Sequence, residues 1–485
     1  MGSSFGILET ARRGMNTQQS AISITAHNIA NANNPYYSRQ RVNMKATNAF
    51  PSPGLNQPYM SGQIGTGVKV DSVQRIREDF LDVQFRGENN KLGYYKAKSE
   101  ALSKMEGIMN EPSETGLSKT VNQFWQSLQD LAVNPENGGA KSVVIERAKA
   151  VADTFNYITD SLKGIQKDIG AQLDNSVDTV NSLLTQIQNL NKQIASVEPH
   201  GLVPNDLYDE RTRLIDELSS YADIQVKYES SGTTASAVAE GKATITLIGA
   251  DGTPITPPLV NGANVDEKPQ MLEVVKDAAG AITGIKVGAN GPEVSVDNLS
   301  KGKLKGLIES LGYKDGQTGE YPEMLEKLKV IATALQDALK TPGGASIFTV
   351  DAAGKVSVNE TDLDAFLKTA SSAETKDWAT SIADAINAPI GDPANPTGAN
   401  FNQSYQEIIG DMGVRAQEAE RLTKNTIVLM LSVDNNRKSV SAVSTDEEMT
   451  NLITFQHAYS AAARTVTAID EMLETIINKM GLVGR

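Results

Sequence analysis

The chain has 485 residues, a formal net charge of −14 and no cysteine. That length allows about three domains with real hydrophobic cores. The acidic balance argues against a general nucleic-acid binder, whose phosphate contacts need a basic face, and the lack of thiols removes disulfides, thiolate nucleophiles and thiolate metal sites together.

The first expected element is a helix. Leu8, Ala11, Met15, Gln18, Ile22, Thr25 and Ile29 fall at alternating spacings of 3 and 4, a helical stripe with two polar interruptions. The following HNIANANNPYYSRQ stops it. Pro35 lacks a backbone donor and pushes Asn34 out of helical space, while Asn31, Asn33 and Asn34 bond their own backbone in turns, so the helix should end between Ala30 and Asn33. GQIGTGVKVDSVQRI, with its alternation Val68, Val70, Ser72, reads as a hairpin or short strands. Helical segments follow through Gly93–Met109 and Leu117–Ala132. The longest runs from about Ala140 to Val197, with Leu162, Ile165, Ile169, Leu173, Val177, Val180, Leu184, Ile187, Leu190, Ile194 and Val197 on one side. A helix of that length implies a rod in coiled-coil-like packing.

Near Ile224 the grammar changes to IQVKY, ATITLIG, MLEVV and ITGIKVG, which places a strand-rich insert at about residues 222–300 with Pro254, Pro257 and Pro258 in its loops. Helical pattern returns at Leu304–Leu311 and Tyr321–Lys340. After a mixed Gly/Pro-rich region it resumes at Tyr405–Val433. The C-terminus carries the clearest signal: Leu452, Phe455, Tyr459, Ala462, Val466, Ile469, Leu473, Ile476 and Met480 alternate at spacings of 3 and 4, a seam of about four heptads. STDEE caps that helix, since Ser444 or Thr445 precedes Glu447 or Glu448 by three positions.

The expected fold class is therefore mainly α with a β-rich insert: an elongated multidomain protein whose terminal helices pair in a coiled-coil-like inner domain. The expected parts are a terminal assembly region at residues 1–70 plus 434–485, an α-helical rod domain at 71–221 plus 301–433, and an outer β-rich insert at 222–300. Seams at both extremities cannot bury themselves fully in one chain. Leu8, Ala11, Met15, Ile22 and Ile29, with the C-terminal stripe from Leu452 to Met480, are accordingly the expected assembly interface.

Reactive constellations are not expected. GSSFG has the letters of a nucleophile elbow, but no strand precedes it to present Ser4. His27, His200 and His457 lie far apart without metal spacing. VPNDLYDER reads as a helix start with its acids near the positive end of the dipole, not as a calcium loop. No run approaches the roughly 18 apolar residues of a membrane span, and the N-terminus has no cleavable signal pattern. The sequence thus predicts no catalytic residue, no cofactor, no metal, no nucleic-acid partner and no membrane insertion.

SITAHNIANANNPYYSRQ resembles the N-terminal motif of the flagellar axial proteins of the rod, hook and hook-associated group. The residues that carry the likeness are Asn28, Ala30, Asn31, Asn33, Pro35, Tyr37, Ser38, Arg39 and Gln40. PNDLYDERTRLIDELSSYADIQV, from Pro204, Asn205 and Asp206, is similar to a segment of the first junction proteins between hook and filament. The C-terminal stretch with Asp446, Glu447 and Glu448 is similar to the group's closing signature. Tyr36 and Ala442 stand where that pattern has Gly. The resemblance implies export through the flagellar type III apparatus with a chaperone on the C-terminal region, and a ring of about eleven subunits. It also implies a place between the hook subunit and a second junction protein, outside the cell. Another axial protein, a secreted adhesin and an axial scaffold with an enzymatic insert are the alternatives.

Overall fold

The computed structural model describes residues 4–51, 62–109, 116–278, 280–314, 316, 318–387 and 400–479. Helix α1 spans Ser4–Ala30 and stops within the expected window. There the Asn31 Nδ2 donates to the His27 carbonyl and the Tyr36 N–H to Asn34 Oδ1, both at 3.1 Å, so Asn31 and Asn34 bond local backbone as their turn chemistry favours. Strand β1 (Gln40–Ala46) then pairs antiparallel with β2 (Val68–Arg75), from Gln40 opposite Arg75 to Ala46 opposite Val68.

Four helices follow: α2 (Asp79–Met109), α3 (Leu117–Val133), α4 (Gly138–Val197) and α5 (Asn205–Tyr221). The 60-residue α4 is started by Asn137, whose side chain accepts from the Gly139 N–H at 2.8 Å, satisfying one of the orphan donors of the first turn. Its stripe is buried at Leu162, Ile169, Leu173, Val177, Val180, Leu184, Ile187 and Ile194, each worth about 1.5–3 kcal/mol of apolar burial, whereas Ile165, Leu190 and Val197 are half-buried.

The insert holds two antiparallel three-stranded sheets. One runs β3 (Ile224–Glu229), β4 (Lys242–Ile248), β5 (Pro254–Val260), and the other β6 (Leu272–Lys276), β7 (Ile282–Val287), β8 (Glu293–Ser295). The three prolines expected in loops lie in β5 instead. β5 is the edge of its sheet, and the register breaks between Ile245 and Leu247 of β4 opposite it. An edge with a bulge is where a strand tolerates residues that cannot donate to the ladder.

Beyond the sheets come α6 (Lys303–Leu311) and α7 (Glu320–Ala338), then a hairpin of β9 (Phe348–Val350) and β10 (Val356–Val358). They are followed by α8 (Glu360–Thr369), α9 (Ser372–Asn387), α10 (Phe401–Ser441) and α11 (Thr445–Lys479). One continuous core joins Ala97 of α2, the faces of α3 and α4, both sheets, α6 to α9, and Phe401 to Met412 of α10. α10 runs antiparallel along α2 and passes residue 434 without a break, ending at Ser441. α11 packs along α1 and on no other helix to comparable extent.

Candidate assembly site

Two helices form the terminal unit, and what they bury differs from the expected stripe. On α1 the deeply buried positions are small or polar: Ala11, Thr17, Ala21, Thr25 and Asn28. Leu8, Met15, Ile22 and Ile29 are half-buried. The reason is that, among the described residues, α1 packs chiefly on α11 and on the β1–β2 hairpin, where the Thr17 hydroxyl donates to the Val68 carbonyl at 3.2 Å, with α5 approached only at the C-terminal end of α1.

On α11 the seam is turned toward α1 of the same chain. Ile469 is 2% exposed. Leu452, Phe455, Tyr459, Ala462, Val466 and Leu473 are half-buried, and Met480 lies outside the described residues. The centre of this stripe is covered within the chain by its antiparallel partner, the helix of the other terminus. What stays uncovered lies on the flanks and at the far end. Met449 (54%), Ile453 (51%), Met472 (54%), Ile476 (50%) and Ile477 (73%) of α11, with Phe5 (68%) of α1, stand in solvent.

Where α1 and α11 meet the body, the three motif segments converge on a polar joint. Asn28 is 1% exposed, and its amide is fully used. Nδ2 donates to the Gln40 carbonyl and to Glu448 Oε2, both at 2.9 Å. Oδ1 accepts from the Tyr37 hydroxyl at 2.7 Å and from the Gln40 N–H at 3.0 Å. Burial, reinforced by Asp206, Asp209 and Glu448, pushes the Tyr37 phenol well above its ordinary pKa, so it remains a donor.

Arg39 joins its Nε to Glu448 at 2.8 Å and an NH1 to Glu447 at 3.0 Å, while its N–H donates to the Ser441 carbonyl. Ser38 N–H donates to Asp209 at 3.1 Å, and Gln40 Nε2 to Asp206 at 3.1 Å. Asn205 Nδ2 returns to Gln40 Oε1 and to the Val73 carbonyl. Ala30, Asn33, Pro35 and Asp446 are exposed and take no part, Asn31 bonds only within its own turn, and Pro204 caps the start of α5.

A chain of charges continues inward. Arg75 pairs with Asp209 at 2.6 Å and with Glu240, and Arg211, fully buried, reaches Glu240 at 3.2 Å and the Gly241 carbonyl at 2.6 Å. Arg77 binds Asp82, whereas Arg86 and Arg437 share Asp216. Sequence reasoning assigned Asp206 and Asp209 to the helix dipole and missed these arginines. They are far apart in sequence, and nothing in their local patterns marks them as partners. His27 lies 3.6 Å from Asp206 and edge-on to Tyr37.

Most groups in this joint are matched to a neighbour, while Asn205 Oδ1, Arg86 Nη2 and Arg211 Nε are buried without a hydrogen-bond partner among the described residues, and the network holds the geometry of the two termini. Fold and site together define a structural protein whose two termini act as one unit. Comparison with known proteins agrees. Residues 102–341 match the family described as flagellar hook-associated protein FlgK helical domain, residues 439–479 the flagellar basal body rod FlgEFG protein C-terminal, and residues 8–35 the flagella basal body rod protein. The chain is 43% identical to flagellar hook-associated protein 1 of Bacillus subtilis (strain 168), with 100% of both chains covered. It is 26% identical to that of Escherichia coli (strain K12), over 97% of this chain and 99% of that one. A solved structure of the flagellar hook junction protein FlgK from Burkholderia pseudomallei aligns over 56% of this chain and 47% of that chain at 20% identity, with a TM-score of 0.41. The chain belongs to the flagellar hook-associated protein 1 family and is a structural component of the flagellum. Among the described residues no helix is long and apolar enough to cross a membrane.

Proposed function

We propose that this chain forms the junction between hook and filament, assembling through its terminal helix pair into a ring of about eleven subunits. The observation that carries the reading is the set of apolar side chains left in solvent on that pair: Phe5, Met449, Ile453, Met472, Ile476 and Ile477. A two-helix unit buries one face of each helix only, and apolar surface beyond that marks a contact site. Neighbouring copies would cover it.

In this reading residues 1–70 and the segment after the Ala442–Ser444 link form the inner tube. Residues 71–221 with 301–441 form the rod domain around it, and the insert at 222–300 faces outward. The hook subunit lies on one side and a second junction protein on the other. The subunit leaves the cell through the flagellar type III apparatus, with a chaperone on its C-terminal region covering the exposed α11 residues until assembly. The test is electron microscopy of a deletion strain. Hooks without filaments, with flagellin released into the medium, are expected; normal filaments would end the proposal.

A further inference from the structure

The chain contains Asn-Gly pairs at Asn137-Gly138, Asn261-Gly262 and Asn290-Gly291. They share one chemistry, since glycine has no Cβ to shield its backbone nitrogen. That nitrogen attacks the asparagine Cγ, a new C–N bond forms, and the side-chain nitrogen leaves as ammonia. Water then opens the cyclic imide at either carbonyl, giving aspartate or isoaspartate. In sum one water replaces one ammonia, and no oxidant or reductant is involved. Sequence alone does not rank the pairs.

The structure separates them. Asn137 caps α4, its Oδ1 accepting from Gly139 N–H at 2.8 Å and Ala140 N–H at 3.4 Å. Cyclisation there would first have to break the cap. At Asn261 the side chain is held at both ends, Oδ1 by the Ala263 N–H at 3.1 Å and Nδ2 on Glu267 at 2.7 Å. The attacking atom is held too, because Gly262 N–H donates to Thr244 Oγ1 at 3.0 Å. Asn290 is exposed and its side chain makes no hydrogen bond among the described residues. Gly291 N–H has only a long turn bond to the Gly288 carbonyl, 3.4 Å, which is weak by geometry. We propose that Asn290 is a deamidation site, the Asn-Gly pair that the fold leaves free to cyclise.

The product would strain its surroundings. Isoaspartate adds a main-chain carbon in the β7–β8 turn, where even a Cβ on Gly291 would fall 1.7 Å from the Val287 carbonyl oxygen. The turn sets the register of Gly284 opposite Ser295 and Ile285 opposite Val294. Conversion should therefore loosen β8 from β7.

The experiment incubates the purified full chain in mildly alkaline buffer and follows each pair by peptide mass mapping with isoaspartyl labelling. Each rate is divided by that of the same pair in denaturant, which removes local sequence effects. Holding one hydrogen bond open costs about 1 kcal/mol, so normalised conversion at Asn290 should exceed that at Asn137 and Asn261 roughly fivefold or more. Asn290→Gln should abolish the fast product, and amide exchange should rise in β8 as it accumulates. Equal or faster normalised conversion at Asn137 or Asn261, or an Asn290 protected as well as they are, would overturn the assignment.

Discussion

Asn28 of the first helix and Glu448 of the last share a buried hydrogen bond of 2.9 Å across 420 positions of chain. Because the same amide also holds Gln40 and Tyr37, it ties both termini to the first strand. Asn28→Ala would leave those buried partners unmatched, a loss of about 3 kcal/mol. Hydrogen exchange should show α1, β1 and α11 losing protection while the core from Ala97 to Met412 keeps it. Unchanged protection of α1 and α11 would refute a joint role for this residue.

Arg39 completes the same joint. It faces Glu448, whose side chain is 3% exposed, and the exposed Glu447. Arg39→Glu would set like charges together at a nearly buried site, and breaking such a pair costs roughly 3–5 kcal/mol. The double variant Arg39→Glu with Glu448→Arg should recover a measurable part of that loss in a double-mutant cycle. Strict additivity of the two single changes would show that the pair is not coupled.

Acid should loosen the inner end of the charge chain. Burial alone would raise the Asp82 pKa, but Arg77, with Arg86 and Arg437, outweighs it and holds the carboxyl below its ordinary value. A carboxylate depressed in the folded state adds stability that is full above its unfolded pKa, about 3.9. That stability is lost as pH falls through the folded value. Urea midpoints should therefore decline below about pH 4, and Asp82→Asn, weaker at neutral pH, should show a shallower acid slope. Parallel slopes would assign the acid sensitivity to other groups.

Two glycines of α2 should respond in opposite directions. A Cβ at Gly93 would fall 2.0 Å from the Ser220 carbonyl oxygen of α5, whereas Gly87 has open space around it. Gly93→Ala should cost about 1–3 kcal/mol or more through overpacking, and Gly87→Ala should gain about 0.5–1 kcal/mol from helix propensity. Thermal melts of the two variants decide it, with the same sign in both as the contrary result.

Much of this fold was legible where one periodicity runs long. The stop of α1 after Ala30, the rod of α4 and the C-terminal helix each rest on a local signal, a turn cluster or a stripe of 3 and 4 spacings. β1 was not, because QRVNMKA has little strand character of its own and is defined by pairing with residues 68–75. The β9–β10 hairpin, α8 and α9 were read only as mixed sequence, their elements being short and dependent on the core around Trp378 and Phe348. In the site, the motif residues were recognised, but their partners Arg75, Arg77, Arg86 and Arg437 were not, since ion pairs across such separations leave no periodic trace. The C-terminal stripe was legible as a packing face, but a stripe does not show how much of that face its own chain covers.

That last point sets the decisive comparison between Ile469, 2% exposed and facing α1, and Ile453 and Ile477, 51% and 73% exposed. Ile469→Asp places an unpaired charge inside the helix pair, a cost of several kcal/mol, and should expose α1 and α11 of the isolated subunit to limited proteolysis. The double variant Ile453→Asp with Ile477→Asp should leave the isolated subunit's digestion pattern unchanged. The measurement is electron microscopy of flagella from a strain carrying that double variant. If the outer flanks of the terminal helix pair are the assembly surface, the strain should export the subunit and show hooks without filaments. Full-length filaments and normal motility would contradict it.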